Sequence, residues 1–322
     1  MIYLNEKNIK EVGIDWGKVM DVIEEAVRCL EADDFAQPVK PYLRYRDLKN
    51  RIIAMPAFIG GTFDTAGIKW IASFPDNIKK GIPRAHSVVI LNKADTGEPV
   101  GIINTALLSI IRTASVSGLM IRYFDKVRPL KNVNLGIIGW GPIGQYHFKM
   151  CTSVFGDKIS KIFLYDLRHI DKAAVDFAEK DKIVVTNSWE DAYQDADVFI
   201  TCTVSRAPYI DKPPKKGSLQ LNVSLRDYKT GIYDYVKDSI IVDDWEEICR
   251  EKTDIEMMHK EKGLRADHTR SIIDVVVNHC MKDYGADVPI MFNPMGMAVF
   301  DMAVGAYYLK EAQLRNIGHY LD

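Results

Sequence analysis

The stretch from Val133 to Asp166 constrains the fold of this chain more than any other. An apolar, strand-like run leads into Gly139-Trp140-Gly141-Pro142-Ile143-Gly144, a helical segment follows, and a second strand-like run ends in Asp166, 22 residues after the last glycine. A Gly-x-Gly-x-x-Gly pattern alone is a weak signal. Between a strand and a helix, and with an acid at this distance, it is the fingerprint of a dinucleotide-binding βαβ unit.

The three glycines have separate predicted roles. Gly139 makes the tight turn, Gly141 lets the backbone approach a pyrophosphate, and Gly144 lets the helix pack closely on the strand. The N–H groups at the helix N-terminus are then available to the phosphates. Asp166 is expected to bind the ribose hydroxyls and to repel a 2′-phosphate, so NAD is predicted rather than NADP, a preference that Arg168 is able to soften. The alternative is a glycine-rich turn that binds nothing. The cofactor-binding residues predicted from this motif are Gly139, Gly141, Pro142, Ile143, Gly144 and Asp166.

The patterns on either side of the fingerprint predict the rest of the fold. From residue 132 onward, strand-like and helical runs alternate, which is typical of a doubly wound sheet. Before it, an amphipathic helix with Asp15 as N-cap precedes short β-rich runs and a helix at 105–124. After a helical stretch around 244–259 and less regular chain up to about Pro289, a last helix is expected at 299–315, with Asn293 able to cap it.

We therefore predict an α/β protein with a Rossmann-type doubly wound NAD domain plus an α+β substrate-binding and dimerisation domain. The substrate-binding and dimerisation domain is expected at 1–129, the NAD domain at 130–288 and a C-terminal segment at 289–322. A chain of 322 residues agrees with about two domains.

Composition and charge exclude several classes of function. With 47% hydrophobic and 27% charged residues the chain is typical of a soluble protein, and a net charge of −2 argues against nucleic acid or an anionic membrane as a partner. The N-terminus lacks a signal peptide's apolar region, and no run approaches the ~18 apolar residues of a membrane span, so a cytoplasmic protein is expected. Five scattered cysteines and seven histidines show no metal-ligand spacing, so no metal is expected.

Several cations lie in apolar or strand-like surroundings. Lys69 is in the middle of an apolar strand, where burial lowers the pKa of an ammonium and suits it to proton transfer at an amine or imine nitrogen; the alternative is an edge-strand lysine that reaches solvent. Arg112 lies on an apolar helix. With Lys40, Arg44 and Arg84 it suits a ligand that has several carboxylates. Surface ion pairs are an alternative for Arg44 and Arg84, and the capping of a strand edge is an alternative for Lys40.

Three other positions are expected at the site because of where their elements begin or end. Thr203 follows a predicted strand and lines the cofactor crevice. Asp227 lies just past a strand end, where a carboxylate is able to activate water or to hold a substrate amine; the alternative is that it merely caps a turn. The start of the last helix, near Met297, faces a substrate carboxylate or the nicotinamide, unless Gly296 only permits close helix packing.

Together these segments resemble the ornithine cyclodeaminase/mu-crystallin family over nearly the whole chain. The resemblance rests on Gly67-Ile68-Lys69-Trp70, Arg112-Thr113-Ala114, the fingerprint and Gly296-Met297-Ala298. It is closer still to one branch, whose dehydrogenases make 2,3-diaminopropionate for siderophores and peptide antibiotics. That branch resembles this chain in Lys40-Pro41-Tyr42-Leu43-Arg44, Arg51-Ile52-Ile53-Ala54-Met55-Pro56, Ile200-Thr201-Cys202-Thr203-Val204, Val242-Asp243-Asp244-Trp245, Arg250-Glu251-Lys252 and Asn293-Pro294-Met295-Gly296-Met297-Ala298.

The resemblance implies a homodimer built through the first domain, to which the C-terminal segment returns, with the active site between the domains. It implies Lys69 as the acid/base group, Arg44 and Arg112 as carboxylate or phosphate contacts, and Asp227 as the crevice carboxylate. Arg112, Thr113, Thr203 and Met297 are expected at the cofactor, and Lys40, Arg44, Arg84 and Arg112 at the substrate.

The implied reaction is NAD-dependent oxidative cleavage of N-(2-amino-2-carboxyethyl)-L-glutamate to L-2,3-diaminopropionate and 2-oxoglutarate. Two departures from ornithine cyclodeaminase itself favour more carboxylate and less amine in the substrate. Arg84 replaces a threonine fifteen residues after the lysine, and Ile52-Ile53-Ala54 replaces an acidic residue before Met-Pro. The alternatives are a ketimine reductase or alanine-type dehydrogenase, ornithine cyclodeaminase, and a non-catalytic NADH- or ligand-binding protein.

Overall fold

The computed structural model describes residues 1–321, which form two compact units. The first unit consists of Met1–Val116 together with the chain from Gly296 onward, and the second of Ser117–Met295. The domain boundaries expected from the sequence, at 129/130 and 288/289, stay a prediction.

Strands and helices are numbered in chain order. The strands are β1 (Ile2–Asn5), β2 (Phe35–Ala36), β3 (Tyr42–Leu43), β4 (Arg51–Ile59), β5 (Thr65–Ser73), β6 (Ala85–Lys93), β7 (Pro99–Asn104), β8 (Val133–Ile138), β9 (Ile159–Tyr165), β10 (Ile183–Val185), β11 (Val198–Thr201), β12 (Leu219–Asn222), β13 (Ile240–Val242), β14 (Arg270–Ser271), β15 (Ile290–Asn293) and β16 (His319–Tyr320). The α-helices are α1 (Glu6–Val12), α2 (Trp16–Glu31), α3 (Leu107–Val127), α4 (Pro142–Phe155), α5 (Trp189–Tyr193), α6 (Tyr233–Val236), α7 (Trp245–Ile248), α8 (Asp254–Lys262), α9 (Ile272–Val276) and α10 (Ala298–Leu314).

The first unit is built on a mixed sheet in the order β16-β1-β7-β6-β5-β4-β2, with β3 also paired to β4. Neighbouring strands are antiparallel except for β1 and β7. Helix α10 packs on β4, β5 and β6 and against α2, whose N-cap is Asp15, as expected. A side chain at Gly67 would lie 2.8 Å from the Met302 sulfur, so this glycine permits the close approach of α10 to β5.

The second unit is a parallel sheet in the order β10-β9-β8-β11-β12-β15-β13-β14. The order reverses at β8, the strand that leads into the fingerprint, and in such sheets ligands bind at the carboxyl ends of the strands at this switch point. The predicted α/β fold with a Rossmann-type domain is confirmed.

The least accurate expectations concern the chain after residue 244. The expected helix at 244–259 is two helices, α7 and α8, because Thr253 caps the second one. The chain before the last helix contains β15, a fully buried strand between β12 and β13. A run of four residues has no periodicity that distinguishes a buried strand from irregular chain.

The expected cap of the last helix is also corrected. Asn293 ends β15, where its side-chain oxygen accepts a hydrogen bond from Asn222 Nδ2 at 2.8 Å, so it does not cap α10. The N-cap is Met297, which makes no side-chain capping bond. Instead, Gln37 Oε1 accepts from the N–H of Val299 at 3.1 Å.

Helix α3 is the longest helix of the described residues. Its 21 residues are long and apolar enough to cross a bilayer by length and composition alone. Most of this helix is buried inside the protein, as is usual for a core helix.

Candidate active site

Lys69 is the most deeply buried cation of the first unit. It lies on the central strand β5, paired with Met55 on one side and Val89 on the other, and only 1% of it is exposed. Its Nζ donates to Asp301 Oδ2 at 2.5 Å and to Ser109 Oγ at 3.5 Å. An edge-strand lysine that reaches solvent is therefore excluded.

Asp301 joins Lys69 to a second predicted residue. Its other carboxylate oxygen accepts from Arg112 Nε at 3.1 Å, and the carboxylate is completely buried on the first turn of α10. Sequence reasoning missed Asp301. The signal for it was a single acid in the otherwise apolar run that starts α10, because an isolated buried carboxylate requires a cationic partner.

Burial and neighbouring charges set the protonation of this cluster. Burial above all, together with the charges of Arg112 and Lys40, lowers the pKa of Lys69 to about 7, although Asp301 acts in the opposite direction. Burial on its own would raise the pKa of Asp301, but Arg112 and Lys69 hold it below its ordinary value. At neutral pH the cluster therefore combines an ionised acid with a lysine that is able both to give and to take a proton.

Lys40 and Gly296 lie beside this cluster. Lys40 is buried, and its Nζ donates to the Gly296 carbonyl at 2.7 Å. Gly296 has a left-handed backbone conformation, φ +89°, and a Cβ here would lie 3.0 Å from Arg112 Nη1. The turn before α10 therefore carries a lysine on its carbonyl and a guanidinium against its α-carbon, and Met297 follows directly.

The other predicted substrate contacts occupy less buried positions. Arg44 is exposed, donates from Nη1 to the Leu48 carbonyl at 3.1 Å and lies over the Tyr42 ring, 5.4 Å from its centroid. Arg84 is half-buried immediately before β6. Thr113, expected at the cofactor, donates its hydroxyl to the Ser109 carbonyl within α3. The roles of these three residues stay predictions.

The fingerprint has the geometry of a dinucleotide cradle in the second unit. Gly139 has φ +91°, and a Cβ there would lie 2.5 Å from the Cys202 carbonyl group. A Cβ on Gly144 would lie 1.9 Å from the Gly139 oxygen, whereas one on Gly141 would meet no atom within 4 Å. Gly141 is the N-cap of α4, which begins at Pro142. The open side at Gly141 and the helix N-terminus are what a pyrophosphate requires, so these residues fit NAD.

Asp166, directly after β9, is held in place from two sides. Its carboxylate accepts from the Trp140 N–H at 2.7 Å and from the N–H and Nε of Arg168 at 2.8 and 3.2 Å. Burial raises the pKa of this acid, but the hydrogen bonds from Arg168 and Trp140 lower it more, so the pKa lies below its ordinary value. An ionised acid here suits the ribose hydroxyls and opposes a 2′-phosphate.

Asp227 and Thr203, both predicted, are brought together. Asp227 is buried and accepts from the hydroxyls of Thr203 and Ser224, each at 2.5 Å. Burial raises the pKa of Asp227, and the two hydroxyl bonds offset part of that increase.

A second buried acid of this unit, Asp254, was missed. It accepts from Asn222 Nδ2 at 3.0 Å, and burial raises its pKa to about 7. Asp254 is the first residue of α8, where an acid ordinarily indicates only a favourable helix start. Within residues 1–321, no group of three or more His, Cys, Asp or Glu side chains is arranged to hold a metal ion.

The model of the ornithine cyclodeaminase/mu-crystallin family matches residues 3–315. N-((2S)-2-amino-2-carboxyethyl)-L-glutamate dehydrogenase of Staphylococcus aureus is 34% identical, over 100% of this chain and 98% of that protein.

Two solved structures share the fold. One is the Thermococcus litoralis Delta(1)-pyrroline-2-carboxylate reductase in complex with NADH and L-proline, with a TM-score of 0.87, 22% identity and full coverage of both chains. The other is an archaeal alanine dehydrogenase dimer with bound NAD, with a TM-score of 0.83, 25% identity and coverage of 100% of this chain and 99% of that one. The resemblance expected from the sequence is confirmed: the chain belongs to the ornithine cyclodeaminase/mu-crystallin family.

Proposed function

We propose that this protein cleaves N-(2-amino-2-carboxyethyl)-L-glutamate oxidatively, using NAD, to L-2,3-diaminopropionate and 2-oxoglutarate. The observation that carries the proposal is the charge of the buried cluster. Among the described residues of the first unit, the buried charged side chains are three cations and one acid, Lys40, Lys69, Arg112 and Asp301. Buried cations in excess suit a ligand with several carboxylates, and this substrate has three.

The coarser part of this function is confirmed. The Staphylococcus aureus relative is an amino-acid dehydrogenase, and the two solved neighbours described above are a reductase with NADH and a dehydrogenase with NAD. The fingerprint residues of this chain fit the same cofactor. The chain is thus an NAD-dependent amino-acid dehydrogenase, as predicted, and the proposal concerns which amino acid it oxidises.

Lys69 performs the proton transfer. The substrate is a secondary amine that joins the α-carbon of a glutamate unit to the β-carbon of a diaminopropionate unit. The fingerprint residues would hold NAD, which would supply the acceptor for the hydride of the glutamate α-carbon. Neutral Lys69 takes the proton from the substrate nitrogen, which leaves a carbon–nitrogen double bond, and its pKa of about 7 provides the neutral form near neutral pH.

Hydrolysis then separates the two products. Water adds to the α-carbon of the imine, the carbon–nitrogen bond breaks, and the nitrogen leaves with the diaminopropionate unit. We assign the positioning of this water to Asp227 or Lys69. Arg112 and Lys40 hold substrate carboxylates from buried positions, and Arg44 and Arg84 do so from more exposed ones.

The test is the absorbance of NADH after the purified protein is mixed with NAD and the synthetic substrate, followed by product analysis. We expect NADH together with equal amounts of 2-oxoglutarate and 2,3-diaminopropionate. NADH oxidation with pyruvate and ammonia, or with a cyclic ketimine, would instead assign the chain to the alanine-type dehydrogenases or ketimine reductases. Conversion of ornithine without net NADH would indicate ornithine cyclodeaminase, and cofactor binding without turnover would indicate a binding protein.

We also propose a homodimer formed through the outer face of the first sheet. Side chains alternate along β5, so Trp70 lies on the face opposite Lys69 and α10, and it is 42% exposed on a central strand. The same face carries partly exposed apolar residues on four strands, Ile52, Phe58, Ile68, Val88, Ile90 and Ile102. A continuous apolar face of this kind is typical of an interaction surface, and a second copy covers it with the same residues.

The dimer is tested by the molar mass in solution. Trp70→Glu introduces a charge at the centre of this face, and we expect the mass measured by sedimentation to fall to that of a monomer at micromolar concentration. Leu314→Glu is the matched control, because Leu314 is 70% exposed at the end of α10 and lies outside the face. A wild-type protein that sediments as a monomer would contradict the proposal.

The cellular role is proposed on the same basis. The product, a small diamino acid, serves siderophore or peptide-antibiotic assembly, and the enzyme acts in the cytoplasm, where NAD is available. Deletion of the gene in its host, followed by feeding of 2,3-diaminopropionate, checks whether that product restores the missing metabolite.

A further inference from the structure

We propose that Asp301 is a positioning residue for the reaction proposed above, which it serves by fixing Lys69 and Arg112 relative to each other. The inference rests on the proposed function and adds a residue to it. One carboxylate accepts from Lys69 Nζ with Oδ2 and from Arg112 Nε with Oδ1, at 2.5 and 3.1 Å. The proton-transfer group and the carboxylate-binding group are thus held by the two oxygens of a single side chain.

The mode of the Arg112 contact supports this role. Asp301 accepts from Nε of the guanidinium, and a substrate carboxylate, which arginine binds in a bidentate manner, would take the two Nη groups. Nη1 lies against the Gly296 turn. A substrate carboxylate bound to the two Nη groups would then lie at a fixed distance from Lys69. The distance is fixed because Lys69 and Arg112 both contact the same rigid, fully buried acid.

The charges around Lys69 give Asp301 a second effect. The charged groups that face Lys69 are Asp301 from α10, Arg112 from α3 and Lys40, and the neutral neighbours are Ser109, Met55 and Val89. Burial and both cations favour neutral lysine, and Asp301 opposes them. Without the acid, Lys69 would be neutral over a wider pH range but would be a weaker base towards the substrate nitrogen.

A purely structural role is the alternative to be separated. Asp301 also ties α10 to β5, so its loss changes packing as well as charge. The informative variant is Asp301→Asn, which keeps the shape and one acceptor oxygen but removes the charge. Asp301→Glu keeps the charge and displaces it by one methylene group.

The experiment measures the pH profile of kcat/KM and, independently, the titration of Lys69 by NMR in the protein without substrate. In the wild-type profile we expect kcat/KM to rise near pH 7 as Lys69 loses its proton, and this rise is the limb of the profile. For Asp301→Asn we expect the pH of the limb to decrease by about one to three units, as for loss of an opposite charge at this distance. The KM is expected to increase at least about tenfold, because Arg112 loses its fixed partner. Asp301→Glu should retain the limb near pH 7 with a lower kcat.

Two controls complete the design. Asp254→Asn removes another buried group whose pKa, like that of Lys69, is about 7, and we expect the limb to remain in place. In a Lys69→Met background, Asp301→Asn should lower the residual kcat no further, since the acid acts through the lysine.

An unmoved limb and an unmoved Lys69 titration in Asp301→Asn would overturn the inference. Losses of activity that add in the double variant would also overturn it. Should Asp301→Asn not fold, the Asp301→Glu profile decides in its place, and a limb that moves away from pH 7 counts against the proposal. If the wild-type protein fails to cleave the proposed substrate, the Lys69 titration still tests Asp301 alone, so failures of the two proposals are distinguishable.

Discussion

The ammonium nitrogen of Lys69 lies 2.5 Å from the Asp301 carboxylate, although the two residues are 232 positions apart in the chain. The contact pairs a central strand with the first turn of the last helix. Both side chains are buried away from bulk water, so solvent does not screen their interaction. The strength of the ion pair therefore depends on its geometry.

Replacement of Lys69 by methionine should abolish the proton transfer. The side chains are similar in size, and Asp301 keeps Arg112 as a partner. We expect kcat for NADH formation to fall by about 10²–10⁴-fold, the usual contribution of a general base. Steady-state assays check this, with NAD affinity measured by fluorescence titration as the control. A variant with normal kcat would remove Lys69 from the chemistry.

The wild-type rate of substrate oxidation should increase with pH through about 7. The reaction in this direction requires neutral Lys69, whose pKa burial lowers to about 7. The profile of kcat/KM from pH 5.5 to 9 measures this limb. A flat profile over that range would show that the proton is taken by another group.

The free energy of unfolding should decrease as the pH rises, because of Asp254. Burial raises the folded-state pKa from 3.8 to about 7, so the folded protein binds more protons than the unfolded chain between these values. The stabilisation is complete below about pH 4 and is lost as the pH rises towards 7, by about 1.4 kcal/mol per pH unit. Urea unfolding of wild type and Asp254→Asn tests this, and equal slopes in the two proteins would contradict it.

Two glycines of the fingerprint should respond differently to alanine. Gly144→Ala places a Cβ 1.9 Å from the Gly139 oxygen, so we expect severe loss of stability. Gly141→Ala meets no atom within 4 Å, and its stability should change by less than about 1 kcal/mol. NAD affinity of Gly141→Ala should fall at least about tenfold, because the methyl group occupies the pyrophosphate approach. Thermal melts with and without NAD measure both effects.

Cofactor preference should depend on Asp166. Asp166→Ser removes the charge that opposes a 2′-phosphate and releases Arg168, which is 70% exposed and pairs with Asp166. We expect the ratio of kcat/KM for NADP to that for NAD to increase by about tenfold or more. Adding Arg168→Ala should reverse most of that gain, and an unchanged ratio in Asp166→Ser would place the determinant elsewhere.

The sequence predicted those parts of the site that depend on local pattern. The fingerprint, Asp166 and the apolar strand around Lys69 are read from contiguous residues, because turn, helix start and strand periodicity are local properties. The fold class followed from the alternation of strand-like and helical runs after residue 132. The short strand β15 was missed because four buried residues carry no period.

Asp301 and Asp254 were missed for a different physical reason. Each is an acid on a helix, and only the three-dimensional contact with Lys69 or Asn222 shows that its surroundings are closed to water. A linear pattern records that a charge is present but not what desolvates it. Arg44 and Arg84 are the converse case. Their residue type suits carboxylate binding, but their exposure is set by the surrounding chain and is not visible in the local sequence.

The position of Asp301 has a consequence for how the protein is made. The first unit contains Lys69 near its start, and its last helix is supplied by the final part of the chain, after the whole second unit has been synthesised. On the ribosome, the strand that carries Lys69 therefore emerges long before its acid. A nascent chain that ends before Asp301 has the lysine but not its carboxylate, so the ion pair assembles only after the residues of α10 have been synthesised.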